Sequence, residues 1–224
     1  MAEALFVTLA AFWGSSLLNT RFRHPLTNPV GLSVLALILY IKLTPLTLAS
    51  YQSGTSILVF LLKPAVVALG YILYQQRRWV VLRGVPLLLG VFAGTITSLT
   101  LTPLIARALG ANQTLQMALS LKSVTSPIAI DLAPTLGVEA ELAVPLIIIT
   151  GIFGAAFGVG LLRLVGIRDP FVVGLALGVS SHGIGTARAV EEGPLATAVS
   201  GLAMSFLGLS TALFAPLIYR FLGW

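Results

Sequence analysis

Cysteine is absent from the 224-residue chain, and charged residues make up only 9% of it. The absence of cysteine excludes disulfide bonds, thiol catalysis and cysteine-ligated metal sites. Soluble domains carry about 25% charged residues, so this chain has too little charge for an ordinary soluble domain. With 57% apolar residues, it is also too hydrophobic for an intrinsically disordered protein. The composition therefore indicates an integral membrane protein.

Apolar segments fill the sequence, and several have the roughly 17–25 residues that a helix needs to cross a bilayer. Arginines stand in short gaps between these segments, as is typical of cytoplasmic loops. The net charge of +6 therefore does not indicate a nucleic-acid partner. Glu3 precedes the first apolar run without any Lys or Arg, so we expect a mature helix there and not a cleaved signal peptide. The uninterrupted segments are 4–19, 30–48, 56–75, 84–106, 142–165 and 195–222.

Two further apolar stretches, 112–138 and 171–190, are interrupted by polar residues. The first is broken at Pro127 and the second at 180–183. Backbone freed at membrane depth must be satisfied within the protein or line a cavity. Each stretch can therefore cross the membrane as a broken helix, or enter and leave on one side as a re-entrant hairpin.

Loop charges help to separate these alternatives. If Arg21 and Arg83 lie in cytoplasmic loops, two crossing stretches give almost no inside excess of Lys and Arg. Two re-entrant stretches also place Arg163, Arg168 and Arg188 inside, which the positive-inside rule favours. A mixed topology, in which only the second stretch crosses, gives the same inside excess. Symmetry between the two stretches then favours the re-entrant arrangement.

A weak internal similarity supports this symmetry. Shifting the sequence by 56 positions aligns Arg107 with Arg163 and Gly110 with Gly166, and it brings the two breaks into register. One crossing plus one hairpin inverts the next repeat, so the hairpin tips would meet near the midplane from opposite sides. We therefore predict an all-α polytopic helix bundle with inverted repeats, each containing a discontinuous or re-entrant helix. The predicted domains are scaffold and oligomerisation helices (1–83), repeat 1 (84–138), and repeat 2 with the C-terminal helix (139–224).

The first break combines hydroxyl groups with a cation. Pro127 frees backbone carbonyls, and Lys122 supplies a positive charge that a carboxylate would seek. Ionisable residues are expensive inside a membrane, which favours a function. The alternative is a polar kink whose lysine snorkels to the interface. The candidate substrate-binding residues at this break are Lys122, Ser123, Thr125, Ser126 and Pro127.

The second break contains His182, one of only two histidines in the chain. Its imidazole can donate a hydrogen bond to an anion or carry a proton, so it is also the candidate proton-coupling group. Neighbouring glycines permit a tight turn, and their N–H groups can surround an oxyanion. One alternative is a glycine-rich packing bend, in which the hydrogen bonds of His182 are satisfied within the core. For Arg188, the alternative is that this residue is a cytoplasmic anchor. The candidate binding residues here are Ser181, His182, Gly183, Gly185, Thr186 and Arg188.

The adjacent Ser181 and His182 do not indicate an intramembrane hydrolase. Adjacency in sequence does not create a nucleophile–base pair, and the chain has no G-x-S-x-G motif. The spacing of histidines and acidic residues does not suit a metal site either. We therefore expect no enzymatic activity, no cofactor and no metal.

Several polar strings resemble segments of the LrgB/CidB, or antiholin-like, family of membrane proteins. They are KSVTSPIA at 122–129, HGIGTARA at 182–189, and the runs 63–76 and 150–154. The resemblance extends over nearly the whole chain. It implies one of two functions, because family members are named as modulators of murein hydrolase export and autolysis, acting with a smaller LrgA/CidA-type protein. The plant plastid relative carries glycolate and glycerate, and bacterial relatives have been linked to pyruvate uptake.

We accordingly expect a multi-pass protein of the inner (plasma) membrane that transports small 2-oxo or 2-hydroxy monocarboxylates by alternating access. Tips at 122–127 and 181–186 would enclose the substrate. The expected partners are this substrate, the lipid bilayer and further copies of the chain, with no nucleic acid. The alternative is an antiholin-like pore or regulator that acts with an LrgA/CidA-type membrane partner.

Overall fold

A computed structural model describes residues 2–22, 27–75 and 77–223. All regular secondary structure in these residues is helical, and five helical segments are, by length and composition alone, long and apolar enough to cross a membrane. The prediction of an all-α membrane bundle is thereby confirmed. The five helices are Ala2–Phe22, Leu82–Ala108, Ala140–Leu164, Pro170–Glu192 and Pro194–Leu222.

The chain divides into two compact units, Met1–Val67 and Ala68–Trp224. In the first unit, the Tyr40 hydroxyl donates to the Glu3 carboxylate at 2.7 Å. Exposed apolar side chains cover much of this unit, as lipid contact requires. Its helices are α1 (Ala2–Phe22), α2 (Pro29–Leu43), α3 (Leu48–Gly54) and most of α4 (Ser56–Gln75).

The second unit repeats one series of elements: a long helix with a π-helical turn, followed by an interrupted segment. Its elements are α5 (Arg77–Ile96), a π-helical turn (Thr97–Leu101), α6 (Thr102–Ala108), α7 (Gln113–Ser120), α8 (Ser126–Leu136), α9 (Ala140–Phe153), a second π-helical turn (Gly154–Gly158), α10 (Val159–Leu164), α11 (Pro170–Ala189), a 3-10 turn (Val190–Glu192) and α12 (Pro194–Leu222). The domain boundaries predicted at 83–84 and 138–139 stay predictions.

Segment α11 doubles back on itself at His182, where the backbone leaves the helical region. In an uninterrupted helix, residues 177 and 185 would lie about 12 Å apart along the axis. Here a Cβ atom placed on Gly185 would lie only 2.6 Å from the Leu177 carbonyl oxygen. Both arms therefore lie side by side, and α11 is a re-entrant hairpin, which we call hairpin 2 (residues 170–189).

The long helices on either side fix the end at which hairpin 2 enters. The Arg83 guanidinium on α5 lies 5.3 Å from the centre of the Phe171 ring, at the start of the hairpin. Arg163 at the end of α10 forms a 2.8 Å ion pair with Glu192, just after the hairpin. Both ends of hairpin 2 therefore lie with Arg83 and Arg163, at what we call the arginine end of the unit.

Segments α7 and α8 enter and leave at the opposite end. The 27-residue helix Leu82–Ala108 is about 40 Å long and carries the chain away from the arginine end to Gly110. The helix Ala140–Leu164 runs back to the arginine end, so the chain that precedes it also lies at the far end. Residues 113–136 therefore form hairpin 1, which enters from the end that we call the glycine end.

Helix α12 contacts the two hairpins in succession. Toward its N-terminus, Cβ atoms on Gly174 and Gly178 of hairpin 2 would overlap carbonyl oxygens of α12. Close helix crossings of this kind need small residues, as the glycines here provide. Next, the Met204 sulfur lies 3.9 Å from a Cβ placed on Gly183, and one turn later Ile128 of hairpin 1 packs over Gly208. The hairpins thus meet at the middle of α12 from opposite ends, as inverted repeats require.

Cysteine labelling tests this topology, because the chain has no native cysteine. Single cysteines at the exposed positions Gln113 and Glu139 report on the glycine end, and those at Arg168 and Glu191 report on the arginine end. A membrane-impermeant thiol reagent should label each pair from one side, and the two pairs from opposite sides. By the positive-inside rule, the arginine-end pair should face the cytoplasm. Labelling of 113 and 139 from different sides would contradict hairpin 1.

Candidate functional site

Tip 1 (residues 122–127) carries a half-buried cation. The Lys122 Nζ donates a hydrogen bond to Ser123 Oγ at 3.0 Å. Within the part of the chain that the structure describes, no carboxylate lies within ion-pair distance of Lys122. A cation at membrane depth is expensive unless it is paired. Lys122 is therefore suited to bind an anion that comes from outside the chain.

The N-terminus of α8 offers unsatisfied polar groups beside this cation. Thr125 holds the N-cap position, but its side chain caps no backbone N–H group. Its Oγ1 atom is buried and has no hydrogen-bond partner among the described residues. Buried hydroxyl groups are nearly always hydrogen-bonded, and helix N-termini favour negative charge. An anion with several oxygens would satisfy both groups. Ser126 and Pro127 form the first turn of α8 next to them.

Long-range hydrogen bonds hold tip 1 in its irregular shape. Ser98, in the first π-helical turn, donates through Oγ to the Ser120 carbonyl at 2.9 Å. The Tyr219 hydroxyl on α12 donates to the Met117 carbonyl at 3.0 Å. These bonds satisfy carbonyls that the end of α7 leaves free. Sequence reasoning missed these residues because they lie 22 and 102 positions from their partners.

Tip 2 (residues 181–186) turns at His182 itself. His182 has φ 43° and ψ −136°, a conformation that favours glycine. We expected the neighbouring glycines to supply the tight turn, but the strained residue is the histidine. Its Nε2 atom lies 2.9 Å from the Ile147 carbonyl oxygen of α9, and its side chain is buried. Gly183 is exposed, whereas Gly185 is buried between the two arms of the hairpin.

Hydroxyl groups anchor the rest of tip 2. Ser181 is buried, and its Oγ lies 2.9 Å from Ser180 Oγ. The Thr186 Oγ1 donates to the His182 carbonyl at 2.9 Å and lies 2.9 Å from Ser200 Oγ on α12. These contacts fix the return arm of hairpin 2 against its neighbours.

The structure separates Arg188 from the other candidates. Its guanidinium lies 3.0 Å from Glu192 and 3.3 Å from Glu191, and Glu192 also pairs with Arg163. This ion-pair cluster lies at the arginine end, beyond the return arm. The arrangement matches the anchor alternative for Arg188, whose role as a ligand stays a prediction.

The two tips meet at the middle of α12. Gly183 of tip 2 lies beside Met204 of α12, and Ile128, directly after tip 1, packs over Gly208 one turn later. The tips that carry Lys122, Thr125 and His182 therefore lie at neighbouring turns of α12, although the hairpins enter from opposite ends. Such a set can hold a small anion through one charge and a few directed hydrogen bonds.

Substitutions at His182 should separate its backbone strain from its side-chain role. A non-glycine residue in this conformation costs about 1–3 kcal/mol. Both His182→Gly and His182→Ala remove the imidazole, but only glycine relieves the strain. The unfolding free energy of the glycine variant should therefore exceed that of the alanine variant by about 1–3 kcal/mol. The glycine variant should accordingly unfold at a higher temperature. Equal stability of the two purified variants would show that position 182 is not strained.

Comparison with known proteins identifies the family of the chain. Residues 8–221 match the LrgB-like family. YxaC of Bacillus subtilis (strain 168) is 32% identical over 214 residues, which cover 96% of this chain and 93% of YxaC. The antiholin-like protein LrgB of the same strain is 27% identical, over 98% of this chain and 95% of that protein. The holin-like protein CidB of Staphylococcus epidermidis (strain ATCC 35984) is 25% identical, over 96% of this chain and 93% of CidB. No solved structure matches the chain. The chain, a multi-pass membrane protein, belongs to the LrgB family.

Proposed function

We propose that the chain is a secondary transporter of small monocarboxylates of the 2-oxo and 2-hydroxy class, such as pyruvate, lactate, glycolate and glycerate. One carboxylate would be held by Lys122 and the N-terminus of α8. The oxygen on carbon 2 would be held by the Thr125 hydroxyl or the His182 imidazole. The membrane is the plasma membrane, and the chain works there as a homo-oligomer.

The observation that carries this proposal is that a lysine without an acidic partner in the described part of the chain lies where two hairpins from opposite ends meet. Lys122 lies at the tip of hairpin 1, opposite a hairpin that enters from the other end, and none of the described acidic residues pairs with it. Discontinuous helices at midplane binding sites are typical of secondary transporters. In our proposal, movement of one hairpin at a time would open the site to one end and then to the other, which gives alternating access. A proton carried by His182 would couple this movement to the proton gradient.

Counterflow in liposomes tests the proposal. Purified protein is reconstituted with unlabelled lactate inside and a trace of labelled lactate outside. We expect saturable accumulation of label, with competition by pyruvate and glycolate and none by a neutral analogue such as lactamide. Empty liposomes provide the baseline. Uptake that does not saturate and ignores solute chemistry would contradict a transporter.

A second function has direct support from the names of the relatives. The chain resembles proteins named antiholin-like LrgB and holin-like CidB, and these names favour envelope regulation over any particular substrate. In this alternative the chain modulates murein hydrolase export and autolysis, as an oligomeric pore or together with an LrgA/CidA-type membrane protein. It predicts solute-blind flux in liposomes and altered autolysis in cells that lack the protein.

A further inference from the structure

The imidazole of His182 is held by the backbone of α9. Its Nε2 atom lies 2.9 Å from the Ile147 carbonyl oxygen. A carbonyl oxygen can only accept a hydrogen bond, so Nε2 must carry a proton and donate it. In the neutral imidazole the other nitrogen, Nδ1, then has a lone pair. One hydrogen bond to the main chain therefore selects the tautomer of His182.

Gly151 leaves the space through which the ring reaches that carbonyl. Residue 151 lies one turn after Ile147 on α9, on the same face of the helix. A Cβ atom placed on Gly151 would lie 2.7 Å from Cε1 and 2.8 Å from Nε2 of His182. Real Cβ contacts are not this short, and the ring stands in a buried hairpin that cannot retreat freely. Any side chain at position 151 must therefore push the imidazole away from the Ile147 carbonyl.

The second ring nitrogen stays available. Among the described residues, Nδ1 of His182 has no hydrogen-bond partner. It also does not belong to the fully buried polar atoms without a partner, so it is not closed off from its surroundings. Helix α9 presents the Ile147 carbonyl and Gly151 to the ring, and Met204 of α12 lies beside the next residue, Gly183. Nδ1 is thus the nitrogen that a ligand between the tips can reach.

We propose that Gly151 is a positioning residue: its missing side chain lets the Ile147 carbonyl fix His182 as the Nε2–H tautomer, with Nδ1 left for the ligand. This inference rests on the proposed function only for the identity of the ligand. The tautomer itself depends on α9 and hairpin 2 alone. Gly151 therefore acts through His182 and touches no substrate.

Nitrogen-15 NMR of histidine tests the tautomer without any transport assay. The chain has two histidines, so a His24→Gln background leaves His182 as the single labelled ring. In lipid nanodiscs at alkaline pH, we expect one pyrrole-like nitrogen at Nε2 and one pyridine-like nitrogen at Nδ1. Gly151→Ala should give averaged or reversed nitrogen shifts. Gly160→Ala is the matched control, since a Cβ at this later glycine of the same long helix meets nothing within 4 Å.

Two outcomes would overturn the proposal: an Nδ1–H tautomer in the parent protein, or an unchanged Nε2–H tautomer in Gly151→Ala. Should Gly151→Ala fail to fold, the parent protein still decides the matter. Solid-state dipolar recoupling between the histidine Nε2 and carbonyl-labelled isoleucine should then detect the Ile147 contact, and its absence would refute the proposal.

Lactate then separates this inference from the proposed function. Added lactate should shift the Nδ1 resonance of the parent protein and leave Nε2 almost unchanged. In counterflow, Gly151→Ala should raise the KM for lactate about 2- to 10-fold, the size of one lost hydrogen bond. An Nε2–H tautomer whose Nδ1 resonance does not shift with lactate would refute the role of Nδ1 as a ligand-binding atom and would count against the proposed function. The positioning role of Gly151 would still stand.

Discussion

A Lys122→Met variant should lose most of its lactate affinity and become more stable. Methionine keeps the length of the side chain but removes the charge that would bind the carboxylate. Hydrogen bonds to charged groups contribute about 1.5–3 kcal/mol, so the KM for counterflow should rise about 10- to 100-fold. A lysine at membrane depth costs about 2.5–3.5 kcal/mol on insertion scales. Because Lys122 is only half buried, its removal should raise the unfolding free energy by about 1–2 kcal/mol.

The opposite signs of these effects make the test specific. A lysine with a purely structural role would lower stability when removed and would leave the KM of the folded fraction unchanged. Lys42→Met is the control, since Lys42 is exposed on α2. It should change neither quantity. Thermal unfolding and lactate counterflow on the same preparations measure both. Wild-type KM in Lys122→Met would remove Lys122 from the site.

A Gly154→Ala variant should open hairpin 2. A Cβ atom at position 154 would overlap Ser181 Oγ and would lie 2.7 Å from the Ser181 Cβ. The hydroxyl can rotate away, but the Cβ is fixed to the backbone, so one of the two segments must move. Overpacking of a tight interface costs about 1–3 kcal/mol. We therefore expect a lower unfolding temperature and loss of lactate counterflow.

Two further variants of the same region give the matched comparison. Gly160→Ala places the same methyl group where nothing lies within 4 Å, so it should be neutral or slightly stabilising. Ser181→Gly removes the obstructing side chain, so the double variant Gly154→Ala/Ser181→Gly should unfold at a higher temperature than Gly154→Ala alone. Equal unfolding temperatures of Gly154→Ala and Gly160→Ala would refute the close packing of this π-helical turn against hairpin 2.

The hairpins could be predicted from sequence because their signals are local. Polar residues that interrupt an apolar stretch cannot face lipid, and a proline fits best in the first turn of a helix. The structure accordingly places the break just before Pro127, which stands in the first turn of α8. The loop arginines then limited the topology, and the ion pair of Arg163 with Glu192 agrees with the re-entrant arrangement. Apolar run lengths, polar interruptions and loop charges were sufficient at this level, since none of them depends on which side chains meet.

The geometry of the site could not be predicted in the same way. The His182 ring contacts the Ile147 carbonyl, which lies 35 positions earlier in the chain. His182 and Ser181 fill the space above Gly151 and Gly154, and no local pattern in the sequence reveals these contacts. Arg188 pairs with Glu191 and Glu192, which follow it closely in sequence, and its role as a ligand stays a prediction. Long-range packing decides the position of the His182 ring and the surroundings of both glycines.

A double-mutant cycle in lactate binding tests most directly whether the two tips hold one anion. Equilibrium binding of labelled lactate is measured for the parent protein, Lys122→Met, His182→Gln and the double variant. We predict one saturable site per chain, weakened by each single substitution. The two losses should be non-additive, with a coupling energy of about 0.5–3 kcal/mol, as for residues that contact one shared ligand. Additive losses, or unchanged binding in either single variant, would contradict a shared site.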